Sequence, residues 1–187
     1  MTPNQLLTIL SVAERLKCST RHSYTSTGRH ESVAEHSWRT ALMAMLLTEE
    51  FPHADMNKVI RMCLIHDLGE AFTGDIPAFD KTEADTQKED ALFQSWVGTL
   101  PEDARREFTS LLAEMNALET QEAKIYKALD KMEAVIQHNE SDISTWLPLE
   151  YDLQLTYGEE SVQFSPYMQA LKAAVNDITR KKIADSQ

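Results

Sequence analysis

A chain of 187 residues matches one domain, because domains usually contain about 100–150 residues and rarely divide below about 250. Its 5 glycines and 6 prolines are about half of the average share for this length, which favours a helical fold. The net charge of −12 argues against binding a nucleic acid polymer, and no apolar run approaches the about 18 residues of a membrane span.

The sequence predicts a cytoplasmic location. Residues 1–4 lack the cationic stretch and apolar run of a secretory signal. Cys18 and Cys63 have no CxxC spacing, so they indicate neither a disulfide framework nor a zinc knuckle. We expect two reduced thiols and no membrane partner.

The first predicted element is a helix that begins at Thr2. Thr2 and Gln5 can form a capping box around Pro3, and apolar residues then recur at helical spacing. Residues 18–31 are polar and lack an apolar period, so we expect a long loop there. Loops of this length in a small domain are typically functional or mobile.

Two strongly apolar helices follow. Residues 32–35 fit a second capping box, and the apolar run 41–47 extends that helix to residue 51. Because this helix is apolar around its circumference, we expect it in the interior. Asp55 can cap a third helix, whose apolar period continues to residue 70, before residues 73–77 break the pattern.

The remainder of the chain is predicted to be helical as well. Helices fit about residues 82–98, 101–116 and 120–139, a short helix fits 149–156 within the ambiguous stretch 140–164, and a last helix runs from 165 to about 182. Strand-like alternation and internal repeats are absent from the sequence. The fold class is therefore all-α: a single-domain bundle of six or more helices over residues 1–187.

Several metal-binding residue types lie at the edges of apolar helices. His66 and Asp67 close an apolar run, where both need partners if buried, and Glu70 follows one helical turn later. His36 begins another apolar helix, and Asp130 lies on a later one. Such nitrogen and oxygen donors suit Mn, Co, Fe, Mg or Zn. A hydrogen-bonded core histidine at 66 and a solvated carboxylate at 130 explain these residues equally well.

Four motifs in order carry a family resemblance. They are Glu31-Ser32-Val33-Ala34-Glu35-His36-Ser37, Ile65-His66-Asp67-Leu68-Gly69-Glu70, Thr73-Gly74-Asp75-Ile76-Pro77 and Leu129-Asp130-Lys131-Met132-Glu133. Across about residues 10–140 the chain resembles the HD-domain metal-dependent phosphohydrolases, specifically the bacterial 5′-deoxynucleotidase (YfbR-like) group; residues 141–187 would complete the bundle. The resemblance implies a helical bundle, commonly a homodimer, that removes phosphate from deoxyribonucleoside 5′-monophosphates.

The resemblance also implies roles for individual residues. The implied ligands of one divalent metal ion are His36, His66, Asp67 and Asp130. Glu70 would be the acid, base or water-orienting carboxylate, and Arg21 would orient the substrate phosphate. The alternatives are a surface helix carboxylate at 70 and an exposed loop arginine at 21.

The implied substrate pocket departs from the family pattern at two positions. Its members would be Arg21, His22, Asp67, Asp75, Ile76, Pro77, Ala78 and Asp130, with Asp75 accepting a hydrogen bond from the deoxyribose 3′-hydroxyl. His22 stands where the family has a tryptophan that excludes a 2′-hydroxyl, and Ala78 stands in place of a threonine. We therefore expect weaker discrimination between deoxyribose and ribose.

Two other interpretations compete with this one. The chain could be an HD phosphohydrolase for ribonucleotides, nucleoside triphosphates or ppGpp; Ala71 argues against ppGpp, whose hydrolases have a further carboxylate there. It could instead be a non-catalytic nucleotide-sensing module, which loss of ligands would favour, and none is lost. His138 lies about 12 Å along the helix from Asp130, too far to share its ion, so one metal ion is expected.

Overall fold

Capping residues set the beginnings of the helices in the computed structural model, which describes residues 1–186. Thr2 and Ser32 each accept a backbone N–H in a capping box, which confirms both predicted helix starts. The helices are α1 (Pro3–Ala13), α2 (Val33–Leu46), α3 (Met56–Ile65), α4 (Glu70–Thr73), α5 (Glu83–Val97), α6 (Glu102–Ala117), α7 (Gln121–Glu140), α8 (Glu150–Thr156) and α9 (Pro166–Asp185). The all-α fold class is thus confirmed, although one small sheet accompanies the helices.

The core lies where α2, α3 and α7 pack against one another. Val59 and Met62 of α3 and Leu129 and Met132 of α7 are all fully buried there. Each such side chain contributes about 1.5–3 kcal/mol through removal of apolar surface from water. These three helices therefore pack tightly together, and each of them contains or directly precedes at least one of the predicted ligands.

Helix α2 differs from its prediction, because only one of its faces is interior. His36, Thr40 and Ala44 are buried, whereas Trp38 and Leu46 are 61% and 69% exposed. The apolar run of the sequence therefore includes a solvent-facing apolar stripe as well as a core stripe.

The third predicted helix is divided into two elements. α3 ends at Ile65, and residues 66–69 form turns in which the Leu68 N–H donates to the Ile65 carbonyl at 3.1 Å and the Glu70 N–H to the Asp67 carbonyl at 3.0 Å. α4 then begins at Glu70. The tighter turns place His66 and Asp67 at the end of α3 rather than along a continuous helix.

The polar segment predicted as a loop contains a hairpin, so that prediction was wrong in part. β1 (Thr20–Tyr24) pairs antiparallel with β2 (His30–Ser32) around a turn in which Gly28 has a φ of +82°. The pairing was not visible as apolar alternation because the buried side chains are polar. Ser23, for example, donates a hydrogen bond of 3.0 Å to the carboxylate of Glu31.

The C-terminal helices close one side of the core. The short helix predicted at 149–156 is α8, and α9 packs on α7 and continues three residues beyond its predicted end at Lys182. Within residues 1–186, none of the helices combines the length and the apolar character needed to cross a membrane.

Candidate metal centre and adjoining cavity

Four of the predicted ligands come together at the meeting point of α2, α3 and α7. The His36 Nε2 atom lies 3.2 Å from both His66 Nε2 and Asp130 Oδ1. Asp67 Oδ2 lies 3.1 Å from His66 Nε2 and 3.6 Å from His36 Nε2. Donors that share a cation at about 2.1 Å are separated by about 3.0–3.4 Å in tetrahedral or octahedral geometry. The spacing of the His36, His66 and Asp67 atoms therefore fits a metal ion, and Asp130 Oδ1 approaches the same place from the side of the two histidines.

Hydrogen bonds on the far side of each imidazole orient the two histidines. His66 Nδ1 lies 2.8 Å from the Cys63 carbonyl and must donate to it, so in the neutral ring Nε2 has its lone pair toward the other donors. His36 Nδ1 faces the carboxylate of Glu133, which is fully buried. A carboxylate or carbonyl behind a histidine is the usual support of a metal-bound imidazole.

Glu133 supports the His36 imidazole, a role that the sequence motif Leu129-Asp130-Lys131-Met132-Glu133 did not predict. Its second oxygen accepts from Arg39 Nε at 2.5 Å, and Arg39 also binds Glu140 at 2.6 Å. Glu133 follows Asp130 by three residues on α7, so both carboxylates point in the same direction. This spacing of three residues is the sequence feature that could have predicted a role for Glu133 beside Asp130.

The electrostatics of the centre show a concentration of negative charge. Burial alone would raise the pKa of Asp67, but neighbouring His66 holds it below its usual range. The pKa of Asp130 is likewise lowered against burial, chiefly by Lys127, whose Nζ lies 2.7 Å from Asp130 Oδ2. Burial would lower the pKa of His66, but Asp67 and Asp130 raise it. Both carboxylates are thus held ionised, as ligands must be.

Glu70 lies beside this cluster with an unsatisfied oxygen. The residue is 5% exposed, so the interpretation as a surface carboxylate is wrong. Among residues 1–186 its buried Oε2 atom has no hydrogen-bond partner. Burial, followed by the charges of Asp67 and Asp75, raises the pKa of Glu70. A buried, unpaired carboxyl oxygen is costly unless a ligand, an ion or water satisfies it.

Arg21 lies on β1 and connects the cluster to the cavity. Its Nη1 is 3.5 Å from Asp67 Oδ2, and its Nε is 3.2 Å from Glu31 Oε2. The side chain is 14% exposed, which excludes the interpretation as an exposed loop arginine. Burial alone would lower the pKa of Arg21, but Asp67 and other carboxylates raise it, so the guanidinium stays charged.

A cavity adjoins the centre on the side of Arg21. Of the predicted substrate residues, those that line it are Arg21, His22, Asp75, Pro77 and Ala78. Ile76, Asp67 and Asp130 are not among its lining residues in the described part of the chain. The wall also includes Phe79, His138, Glu150, Leu153 and Tyr157, which sequence reasoning did not assign to a pocket. They come from distant parts of the chain without a shared motif.

Comparisons with known proteins identify the family of the chain. A family model described as the HD domain matches residues 13–172. The human protein "5′-deoxynucleotidase HDDC2" is 35% identical over 140 residues, which cover 72% of this chain and 67% of the human protein. The yeast (Saccharomyces cerevisiae) protein "5′-deoxynucleotidase YGK1" is 32% identical over 148 residues, covering 72% of this chain and 66% of that protein.

A solved structure has a similar fold over nearly the whole chain. It is a predicted metal-dependent phosphohydrolase from Magnetospirillum magnetotacticum, with a TM-score of 0.80 and 28% sequence identity. The alignment covers 96% of this chain and 93% of that structure. The similarity therefore extends beyond the motifs to the C-terminal helices.

Proposed function

The chain belongs to the HD domain family, and on that premise we propose that it removes phosphate from deoxyribonucleoside 5′-monophosphates. It is a metal-dependent nucleotide phosphohydrolase, as its named relatives indicate. The observation that carries the proposal is the convergence of two imidazoles and two carboxylates beside a cavity that contains a buried arginine.

The donor set fits one divalent cation. His36, His66, Asp67 and Asp130 would hold it, because the two imidazole Nε2 atoms lie 3.2 Å apart and each lies 3.1–3.6 Å from an oxygen of both carboxylates. A mixture of nitrogen and oxygen donors suits Mn, Co, Fe or Zn and also accommodates Mg. When bound, such an ion supplies Lewis acidity and lowers the pKa of coordinated water.

Arg21 is the proposed phosphate-orienting residue. Its charged guanidinium lies between the metal cluster and the cavity, 3.5 Å from Asp67. A guanidinium can donate two parallel hydrogen bonds to phosphate oxygens, which fixes the orientation of the phosphoryl group for in-line attack. Glu31 holds Arg21 from the other side, so the side chain is prepared before substrate arrives.

Glu70 is the proposed proton-transfer group. Its unpartnered Oε2 atom and its raised pKa suit a carboxyl group that accepts a proton from the attacking water or donates one to the leaving nucleoside oxygen. The products are a nucleoside and inorganic phosphate, and no covalent enzyme intermediate is required.

The cavity wall supports a nucleoside-binding role for the remaining predicted residues. Asp75 would accept from the deoxyribose 3′-hydroxyl, while Pro77 and Ala78 provide apolar wall. Ribonucleotides are a second candidate substrate class, because His22 is smaller than tryptophan and Ala78 is smaller than threonine. We expect measurable hydrolysis of both sugar types.

We also propose a homodimer. Trp38, Met45 and Leu46 on the outer face of α2 are 61%, 54% and 69% exposed, and clustered exposed apolar residues are typical of protein interfaces. Light scattering of the purified protein measures the mass directly, and a monomer of 21.3 kDa would contradict this proposal.

The deciding experiment is a substrate panel. Release of inorganic phosphate is measured from deoxyribonucleoside and ribonucleoside 5′-monophosphates, 3′-monophosphates and triphosphates, with Mn, Co, Mg or Zn added to chelator-treated protein. We expect metal-dependent turnover of the 5′-monophosphates. Absence of turnover with every metal, or preference for triphosphates, would contradict the proposal.

A further inference from the structure

A second cluster of metal-ligating side chains lies in the wall of the cavity. His22 comes from β1, His138 from α7 and Glu150 from α8. Glu150 Oε1 is 2.9 Å from His138 Nε2 and 3.3 Å from His22 Nε2. The ligating atoms of all three residues lie within 4.8 Å of one another. None of these atoms belongs to the centre formed by His36 and its partners.

The hydrogen bonding of His138 defines what can occupy the space between these atoms. His138 Nδ1 lies 2.9 Å from the carbonyl of Ala134, one turn earlier on α7, so it must donate its hydrogen there. In the neutral ring the lone pair of Nε2 then faces Glu150 Oε1, which is also an acceptor. Two acceptors at 2.9 Å require a shared proton or a cation between them.

Glu150 has the environment of a ligand rather than of a surface carboxylate. It is 1% exposed, and its other oxygen accepts the Leu147 N–H at 2.7 Å, which leaves Oε1 for the two histidines. A buried carboxylate needs a positive partner.

We propose that His22, His138 and Glu150 bind a second divalent transition-metal ion, such as Zn²⁺, in the cavity wall. Two imidazoles and one carboxylate form a donor set typical of zinc sites that keep an open coordination position. The separations of 2.9 and 3.3 Å fit a shared cation, the Ala134 carbonyl and the Leu147 N–H orient the donors, and the cavity provides an entry path. Mg²⁺ prefers oxygen ligands and does not fit this set.

The proposed site uses none of the four donors of the first centre, although His22 also lines the proposed substrate cavity. His138 resembles His66, because its Nδ1 atom donates to a backbone carbonyl three or four residues earlier and its Nε2 atom faces a carboxylate. Three protein donors leave coordination positions that face the cavity, so an oxygen or nitrogen of a bound ligand can complete the shell.

Metal stoichiometry tests the proposal without an activity measurement. Chelator-treated protein is titrated with Zn²⁺ by calorimetry, and with Co²⁺ while the visible absorption of the cobalt is recorded. We expect two ions per wild-type chain. Glu150→Gln and His22→Ala should each bind one, with at least about 100-fold weaker affinity at the altered site, because a ligand contributes more than the 10–100-fold of a supporting residue.

Matched variants separate the two sites. Exposed His53→Ala should still bind two ions. His36→Ala should bind one, with the cobalt spectrum of the second site unchanged, and His36→Ala/Glu150→Gln should bind none. Circular dichroism checks folding, and His22→Ala, which alters a partly exposed side chain, serves if Glu150→Gln does not fold.

Three results would overturn the inference. They are a single ion per wild-type chain that His36→Ala removes, two ions in a folded His22→Ala variant, or loss of an ion in His53→Ala. A single ion of this kind would mean that a proton occupies the space between His138 and Glu150. Metal-dependent phosphate release by the same wild-type sample reports separately on the proposed function, so either proposal can fail alone.

Discussion

The candidate metal centre and the cavity wall orient a histidine in the same way but in different surroundings. His66 and His138 both donate Nδ1–H to a backbone carbonyl three or four residues earlier and turn Nε2 toward a carboxylate. At the centre, fully buried His36 and Glu133 fix the donors from behind. In the cavity wall, the His22 side chain is 25% exposed, and its ring packs edge-on against Phe79 with 5.5 Å between the ring centroids.

The buried donor cluster is part of the helical core, whereas the cavity wall is partly exposed to solvent. The candidate donors at the centre are packed between α2, α3 and α7, so we expect a substitution of a donor there to remove activity. Residues at the edge of a cavity can change without disturbing this frame, so substitutions there alter which ligand fits.

Removal of a ligand at the centre should have the largest effect. In His36→Ala or Asp130→Ala, we expect loss of the metal ion at this centre together with phosphate release, because each variant removes a donor atom from the shared space. Activity should fall by more than the about 10²–10⁴-fold of a single proton-transfer group. Elemental analysis and phosphate release are measured on the same sample. Exposed Asp90→Ala is the control, and full occupancy of the centre in the ligand variants would remove these residues from it.

Glu70→Ala should separate chemistry from binding. We expect about 10²–10⁴-fold slower single-turnover phosphate release, with metal content and nucleotide affinity little changed, because Glu70 adjoins the cluster without joining its closest contacts. Exposed Glu83→Ala on α5 is the matched control. Near-wild-type turnover would make Glu70 structural only, and loss of metal would make it a ligand.

Glu133→Gln should weaken the centre without removing a donor. We expect about 10–100-fold weaker metal affinity, because the amide no longer supports the His36 imidazole as a carboxylate does. Glu140→Gln is a close control, since Glu140 also binds Arg39 at 2.6 Å but is 51% exposed. Equally weakened metal affinity in both variants would show that the ion pairs of Arg39, rather than the support of His36, determine the affinity.

His22→Trp should have the smallest effect and should act on selectivity. The larger ring is expected to reduce ribonucleotide turnover relative to deoxyribonucleotide turnover by about tenfold, within the range of a steric change in a pocket. Ratios of kcat/KM for matched nucleotide pairs measure it, and His22→Ala separates added bulk from the loss of the imidazole. An unchanged ratio would assign sugar selection to another part of the wall.

Local signals in the sequence predicted much of the fold. Thr2, Ser32 and Asp55 accept backbone N–H groups three residues away, so each helix start is determined within one turn. The hairpin was missed because its inward side chains, Ser23 and Glu31, are polar and stabilised by each other. A strand whose buried side chains are polar has no hydrophobic alternation by which it could be predicted.

The helical class, the capped helix starts and the candidate metal-binding residues can all be predicted from local patterns and ordered motifs of the sequence. The end of α3 before His66, the support of His36 by Glu133 and the contact between His138 and Glu150 are visible only in the folded chain. These features differ in the distance along the chain over which the interactions act. A cap or an apolar period acts within one or two helical turns, whereas a metal-binding geometry depends on the packing of helices that are far apart along the chain.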